Sequence, residues 1–156
     1  MRGAAVSVRT SGRHAGAALA RPSARQLARW ADAALGRRAA GAQISVLLVG
    51  PAASRSLNAR YRQRDKPTNV LSFPAGGEAR RHEGLLGDLV ICPSVLRAEA
   101  RAQGKRLAAH WAHLVVHGVL HLVGFDHERD ADARRMERRE IRVLRSLGFD
   151  NPYRVR

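Results

Sequence analysis

The 156-residue chain reads as a domain of the α/β or α+β class with a small, mostly parallel or mixed sheet. Three observations carry this. Short apolar runs of strand length alternate with helical periodicities up to about residue 103, and beyond it only helical patterns follow. The length suits one core, with residues 1–156 as a single domain, and 45% hydrophobic residues suffice to fill it. No internal repeat interrupts the series, and the strand order stays open.

In chain order, Val6-Ser7-Val8 alternates like a short edge strand, and residues 11–21 read as a loop. A helix from Ala24 to Leu35 is opened by Pro22-Ser23, closed by Gly36, and buries a stripe of Leu27, Trp30, Ala31 and Leu35. After a Gly/Ala linker, Ile44–Val49 is a well-buried strand stopped by Gly50-Pro51. Residues 52–61 form a short helix, followed by Arg62 and the polar turn 64–69. Val70–Phe73 is a strand closed by Pro74. Residues 75–84, with three glycines and several charges, read as a mobile loop. Leu85–Cys92 supplies another strand, and Pro93 opens a helix over about 94–103. A final helix, about 130–147, turns Met136, Ile141, Leu144 and Leu147 to the core.

The organising stretch is residues 110–127. Trp111, Leu114, Val115, Val119, Leu122 and Val123 recur at helical intervals, giving a buried helix from about Arg106 to Val123 that ends at Gly124. At about 100° per residue, His110, His113, His117 and His121 share one stripe of it. His117 and His121, four apart, can reach one point beside the helix. Gly124 permits a sharp exit, and Phe125-Asp126-His127 can swing a third imidazole back to that point. Three neutral imidazoles with an open fourth position describe a catalytic zinc site, where water can ionise near neutral pH. A single cysteine, Cys92, rules out a sulfur-rich structural site. Taken singly, a histidine on an apolar helix face is more often a hydrogen-bonded core residue, and His110 and His113 read as core or supporting groups. Gly118 stands where H-E-x-x-H enzymes carry their glutamate base, which disfavours a peptidase and favours attack on a phosphodiester. Asp126 can orient a ring or cap the turn.

Lys+Arg number 28 against 13 Asp+Glu, a formal charge of +15 that suits a polyanion, RNA or DNA, more than a membrane. Only Lys66 and Lys105 are lysines. The arginines of the last helix, Arg134, Arg135, Arg138, Arg139, Arg142 and Arg145, read as an exposed face more than an RNA clamp. One cysteine and no apolar run of transmembrane length fit a cytoplasmic protein. The segment before Asp32, rich in arginine and alanine, faintly resembles an organelle transit peptide, but the helix over 24–35 explains part of it as domain.

Leu57-Asn58-Ala59-Arg60-Tyr61-Arg62, Pro67-Thr68-Asn69-Val70-Leu71-Ser72-Phe73-Pro74, Leu86-Gly87-Asp88-Leu89-Val90-Ile91-Cys92 and above all His117-Gly118-Val119-Leu120-His121-Leu122-Val123-Gly124-Phe125-Asp126-His127 resemble the YbeY endoribonuclease family. The likeness runs from about residue 44 to Tyr153; the first forty residues match only in layout. It implies an α+β fold like that of zinc metalloproteases, a mixed four-stranded sheet backed by helices with the metal-binding helix packed against the sheet. It also implies a single-strand-specific endoribonuclease that matures ribosomal RNA, including the 3′ end of 16S RNA, and serves ribosome quality control. One zinc-type ion would sit on His117, His121 and His127, with Arg62 and His117 catalytic and Arg62 also binding substrate. Small-subunit ribosomal components and an assembly GTPase are the partners implied. Phe125, where tyrosine is common, removes only a hydroxyl. Two rival readings are a metal-dependent peptidase and a non-catalytic ribosome-assembly factor whose histidine site is structural.

Overall fold

The computed structural model describes residues 3–11 and 21–154. Its strands are β1 (Ala5–Ser11), β2 (Gln43–Val49), β3 (Val70–Pro74) and β4 (Leu85–Ile91). They form one mixed sheet in the order β1-β2-β4-β3, parallel from β1 through β2 to β4, with β3 antiparallel to β4 at the edge. The helices are α1 (Ala24–Leu35), α2 (Pro51–Arg62), α3 (Gly77–Glu83), α4 (Pro93–Ala102), α5 (Leu107–Leu122) and α6 (Asp130–Ser146). The architecture is the α+β mixed sheet implied by the family resemblance. The loop expected over 11–21 falls almost wholly outside the described residues.

Alternation along the strands divides the apolar residues between two faces of the sheet. Ile44, Val46, Leu48, Leu89 and Ile91 join the main core, which also takes in Leu27, Trp30, Trp111, Leu120, Met136 and Leu144 from α1, α5 and α6. Val49, Leu71, Val90 and Cys92 form a smaller cluster on the other face, covered by Leu57 of α2 and Val95 of α4. The central element is α5, ten of whose residues are buried; a helix apolar everywhere but along one histidine stripe belongs inside the protein.

Local chemistry accounts for the boundaries. Ser23 caps α1 by accepting from the Gln26 amide at 3.2 Å, while the Gln26 side chain accepts from the Ser23 amide at 3.0 Å. This reciprocal cap satisfies two otherwise orphaned donors. Pro51 and Pro93 occupy the first turns of α2 and α4, where a missing N–H costs nothing. Arg62 is the last residue of α2 rather than the residue after it.

Residues 75–84 depart from expectation: in place of a loop they contain α3. No residue of α3 is buried, so apolar periodicity gave no sign of it. The helix is held by its ends. Glu78 lies in the first turn and Arg80, Arg81 and His82 in the last, matching the helix dipole. Gly84 closes it at φ 70°, and the Arg80 guanidinium donates to the carbonyl of Leu122 at the end of α5.

Candidate metal centre

The histidine site begins with how α5 stops. Val123 caps the helix and Gly124 follows with φ 99°, a conformation side-chain-bearing residues resist. The Gly124 amide donates to the His121 carbonyl at 3.1 Å and the Phe125 amide to that of Leu120 at 3.0 Å. This double closure reverses the chain direction. Asp126 secures the turn, its Oδ1 accepting from the amides of His127 at 2.7 Å and Glu128 at 3.3 Å. Asp126 thus caps the turn.

The result brings His117, His121 and His127 together. One ring nitrogen from each lies within 4.8 Å of the other two, and the ring centroids are 4.6, 5.6 and 4.8 Å apart. His117 and His121 are half-buried and His127 is exposed, so the cluster opens to solvent on one side. Burial and the neighbouring His117 and His127 push the His121 pKa down to about 4. It is therefore neutral at physiological pH, as a metal ligand must be.

Behind the cluster stands Glu140, a fully buried carboxylate on α6. Its Oε1 lies 2.6 Å from Nδ1 of His117, its Oε2 lies 2.9 Å from Nε2 of His113, and Oε2 also accepts from the Tyr153 hydroxyl. Burial disfavours its charge, but hydrogen bonds from His113, His117 and Tyr153 outweigh that and lower its pKa to about 2. Tyr153 is raised in turn, by burial and by the Glu140 carboxylate. An ionised carboxylate only accepts, so Nδ1 of His117 donates to Glu140, which leaves Nε2 as the ring nitrogen a metal could take. Three nitrogen donors, one neutral and one turned by a buried carboxylate, fit a zinc-type ion.

Glu140 is the site residue sequence reasoning missed. Its signal was present: it falls four residues after Met136 and four before Leu144, on the core stripe of α6. A carboxylate on such a stripe requires a buried partner. His113 is thereby a member of this network, while His110 is buried and lies 3.0 Å from Glu99 through Nε2, away from the cluster.

Arg62 is tied to β3. Its Nη2 donates to the Ser72 carbonyl at 3.1 Å and its guanidinium lies 5.6 Å from the Phe73 ring centroid. The Ser72 hydroxyl donates to the Gly118 carbonyl at 3.2 Å, so β3 joins Arg62 to the turn of α5 that carries His117. Two buried polar residues of α2 fix this geometry. Asn58 donates to the Lys66 carbonyl at 2.9 Å, and the Ser54 hydroxyl lies 2.9 Å from both the amide and the carbonyl of Thr68. Gly118 faces the sheet: a Cβ there would sit 2.8 Å from Leu89 Cδ2. A side chain there would have to displace the end of Leu89.

The family model described as Endoribonuclease YbeY matches residues 18–148. Among solved structures, the solution structure of TM1509 from Thermotoga maritima is similar with a TM-score of 0.57 at 20% sequence identity, covering 96% of this chain and 99% of that one. At that identity the likeness supports the fold. No helix among the described residues is long and apolar enough to cross a membrane.

Proposed function

The chain belongs to the endoribonuclease YbeY family, and from that premise we propose that it is a metal-dependent nuclease specific for single-stranded RNA. Family membership makes it an RNA-cleaving hydrolase of ribosomal RNA processing. The finer reading is maturation of the 3′ end of 16S RNA and ribosome quality control in the cytoplasm, alongside small-subunit components and an assembly GTPase. The observation that supports metal dependence is the convergence of His117, His121 and His127.

A zinc-type ion held by these residues would supply Lewis-acid polarisation of a phosphoryl oxygen. The chain's own groups do the remaining work. Glu140 locks the His117 ring with Nε2 outward, and Gly124 delivers His127 from beyond the helix. Arg62 carries five N–H donors, of which two are engaged, with Tyr61 and Ser72. The others can grip a phosphate and stabilise its developing charge, which makes Arg62 and His117 the catalytic residues of this reading. Glu140 is held behind His117 by its hydrogen bonds, and Gly118 leaves the position of the H-E-x-x-H base without a carboxylate. That argues against peptidase chemistry.

The test is incubation of metal-loaded protein and an Arg62→Ala variant with single-stranded and duplex RNA. Cleavage of the single strand alone is expected, slowed about 10²- to 10³-fold in the variant, the typical loss for one charge-stabilising donor. Equal rates in both proteins would indicate a contaminating nuclease and overturn the proposal. Mapping product ends separates two nucleophiles, because a 2′,3′-cyclic phosphate implicates the 2′-hydroxyl of the RNA.

A further inference from the structure

A cavity of about 610 Å³ lies between the end of α1 and the outer face of α6. Six arginines line it: Arg37 and Arg38 from the 3-10 turn Gly36–Ala39, and Arg135, Arg138, Arg139 and Arg142 from α6. The α6 residues recur at spacings of three and four and so share one helical face. That face is largely exposed, as expected from sequence, yet it faces a second basic wall about a hundred residues away in the chain. Nη2 of Arg139 lies 3.7 Å from where a Cβ on Gly36 would sit, which sets the two walls in contact.

Among the described residues no carboxylate lines the cavity and none of the six arginines forms an ion pair. Solubility alone would be served by charges that diverge on a convex surface. Six like charges converging on one concavity repel until an anion enters. The rest of the lining is apolar, Ala34, Leu35, Val123 and Phe125, with the Arg135 guanidinium 5.6 Å from the Phe125 ring centroid. Guanidinium forks beside an apolar floor and an aromatic ring match a chain of alternating phosphates and flat bases. An acidic peptide offers the charge without the rings.

We propose that this cavity is a second RNA site, which holds the backbone of a single strand away from the bond that is cut. Val123 and Phe125 belong to the turn that carries His127, so the cavity adjoins that turn. The choice of RNA as the polymer rests on the nuclease reading above; the cavity and its charge do not.

Fluorescence anisotropy on ice with labelled oligouridylates of about four and about twenty nucleotides tests this, using metal-loaded protein over a range of KCl concentrations. The variants are Arg138→Gln/Arg139→Gln/Arg142→Gln and, on the other wall, Arg37→Gln/Arg38→Gln, each checked by thermal melting. Because the walls belong to different elements, a folding defect in one variant leaves the other decisive. The wild type is expected to bind the longer RNA much more tightly than the shorter. In the triple variant that gain should shrink about 10- to 100-fold, with the salt slope reduced by about 2, the release expected from three lost phosphate contacts on a single strand. Unchanged affinity and slope would overturn the proposal. So would loss of poly-glutamate binding with RNA binding intact, which assigns the cavity to an acidic protein. Lost RNA affinity in the variants, with no cleavage by any of the proteins, would keep the second site and remove the nuclease reading.

Discussion

Replacing Glu140 by glutamine removes one charge and almost no volume from the centre of the site. The carboxylate is fully buried and serves His113, His117 and the Tyr153 hydroxyl. An amide has one acceptor oxygen where the carboxylate has two, so at least one of these donors loses its acceptor. Two donors share Oε2 and one uses Oε1, so the amide oxygen serves most donors at Oε2; the amide N–H then faces Nδ1 of His117, which loses the acceptor that fixes its proton there. Groups in this position behind a metal-bound histidine are worth about 10- to 100-fold in metal affinity, or about 1.4 to 2.7 kcal/mol. Competition between the protein and a fluorescent zinc chelator measures the change directly. Zinc affinity of Glu140→Gln within threefold of wild type would refute the reasoning, because the bond at 2.6 Å would then have no bearing on ligation.

Gly118→Ala places a Cβ 2.8 Å from Leu89 Cδ2 in a closely packed part of the core. The strain should lower stability by about 1 to 3 kcal/mol, read from urea midpoints; an unchanged midpoint would mean that α5 and the sheet separate easily. In metal-stripped protein, His121 is held near pKa 4 against an ordinary 6.5, so the unfolded chain takes up a proton the fold refuses, and stability falls as the pH drops from 6.5 toward 4. Glu140, lowered from 4.5 to about 2, contributes stability that is complete above pH 4.5 and lost as the pH falls toward 2. Urea midpoints across this range should decline in both windows, and the lower decline should be absent from Glu140→Gln; a flat profile would contradict both assignments.

Much of the site could be read from spacing because its chemistry is local. His117 and His121 are one helical turn apart, and the glycine that returns His127 is three residues further along. The same holds for α1, whose capping pair Ser23 and Gln26 lies within four residues. What escaped depends on long-range contacts. Glu140 meets His117 across 23 residues, and Arg80 anchors α3 to Leu122 across 42. The arginines of α6 looked like a solvated face because nothing near them in the chain marks Arg37 and Arg38 as the opposing wall. Gly118, read as a missing base, also lies against Leu89 of a neighbouring strand.

The most direct measurement is a metal titration of the wild type beside His121→Ala, with bound zinc counted after dialysis and single-stranded RNA cleavage assayed on the same samples. The expectation is one ion per chain and cleavage in the wild type, and neither in a variant whose near-ultraviolet circular dichroism still reports a packed core. A folded His121→Ala protein that keeps its ion, or one that cleaves RNA as fast without it, would contradict it.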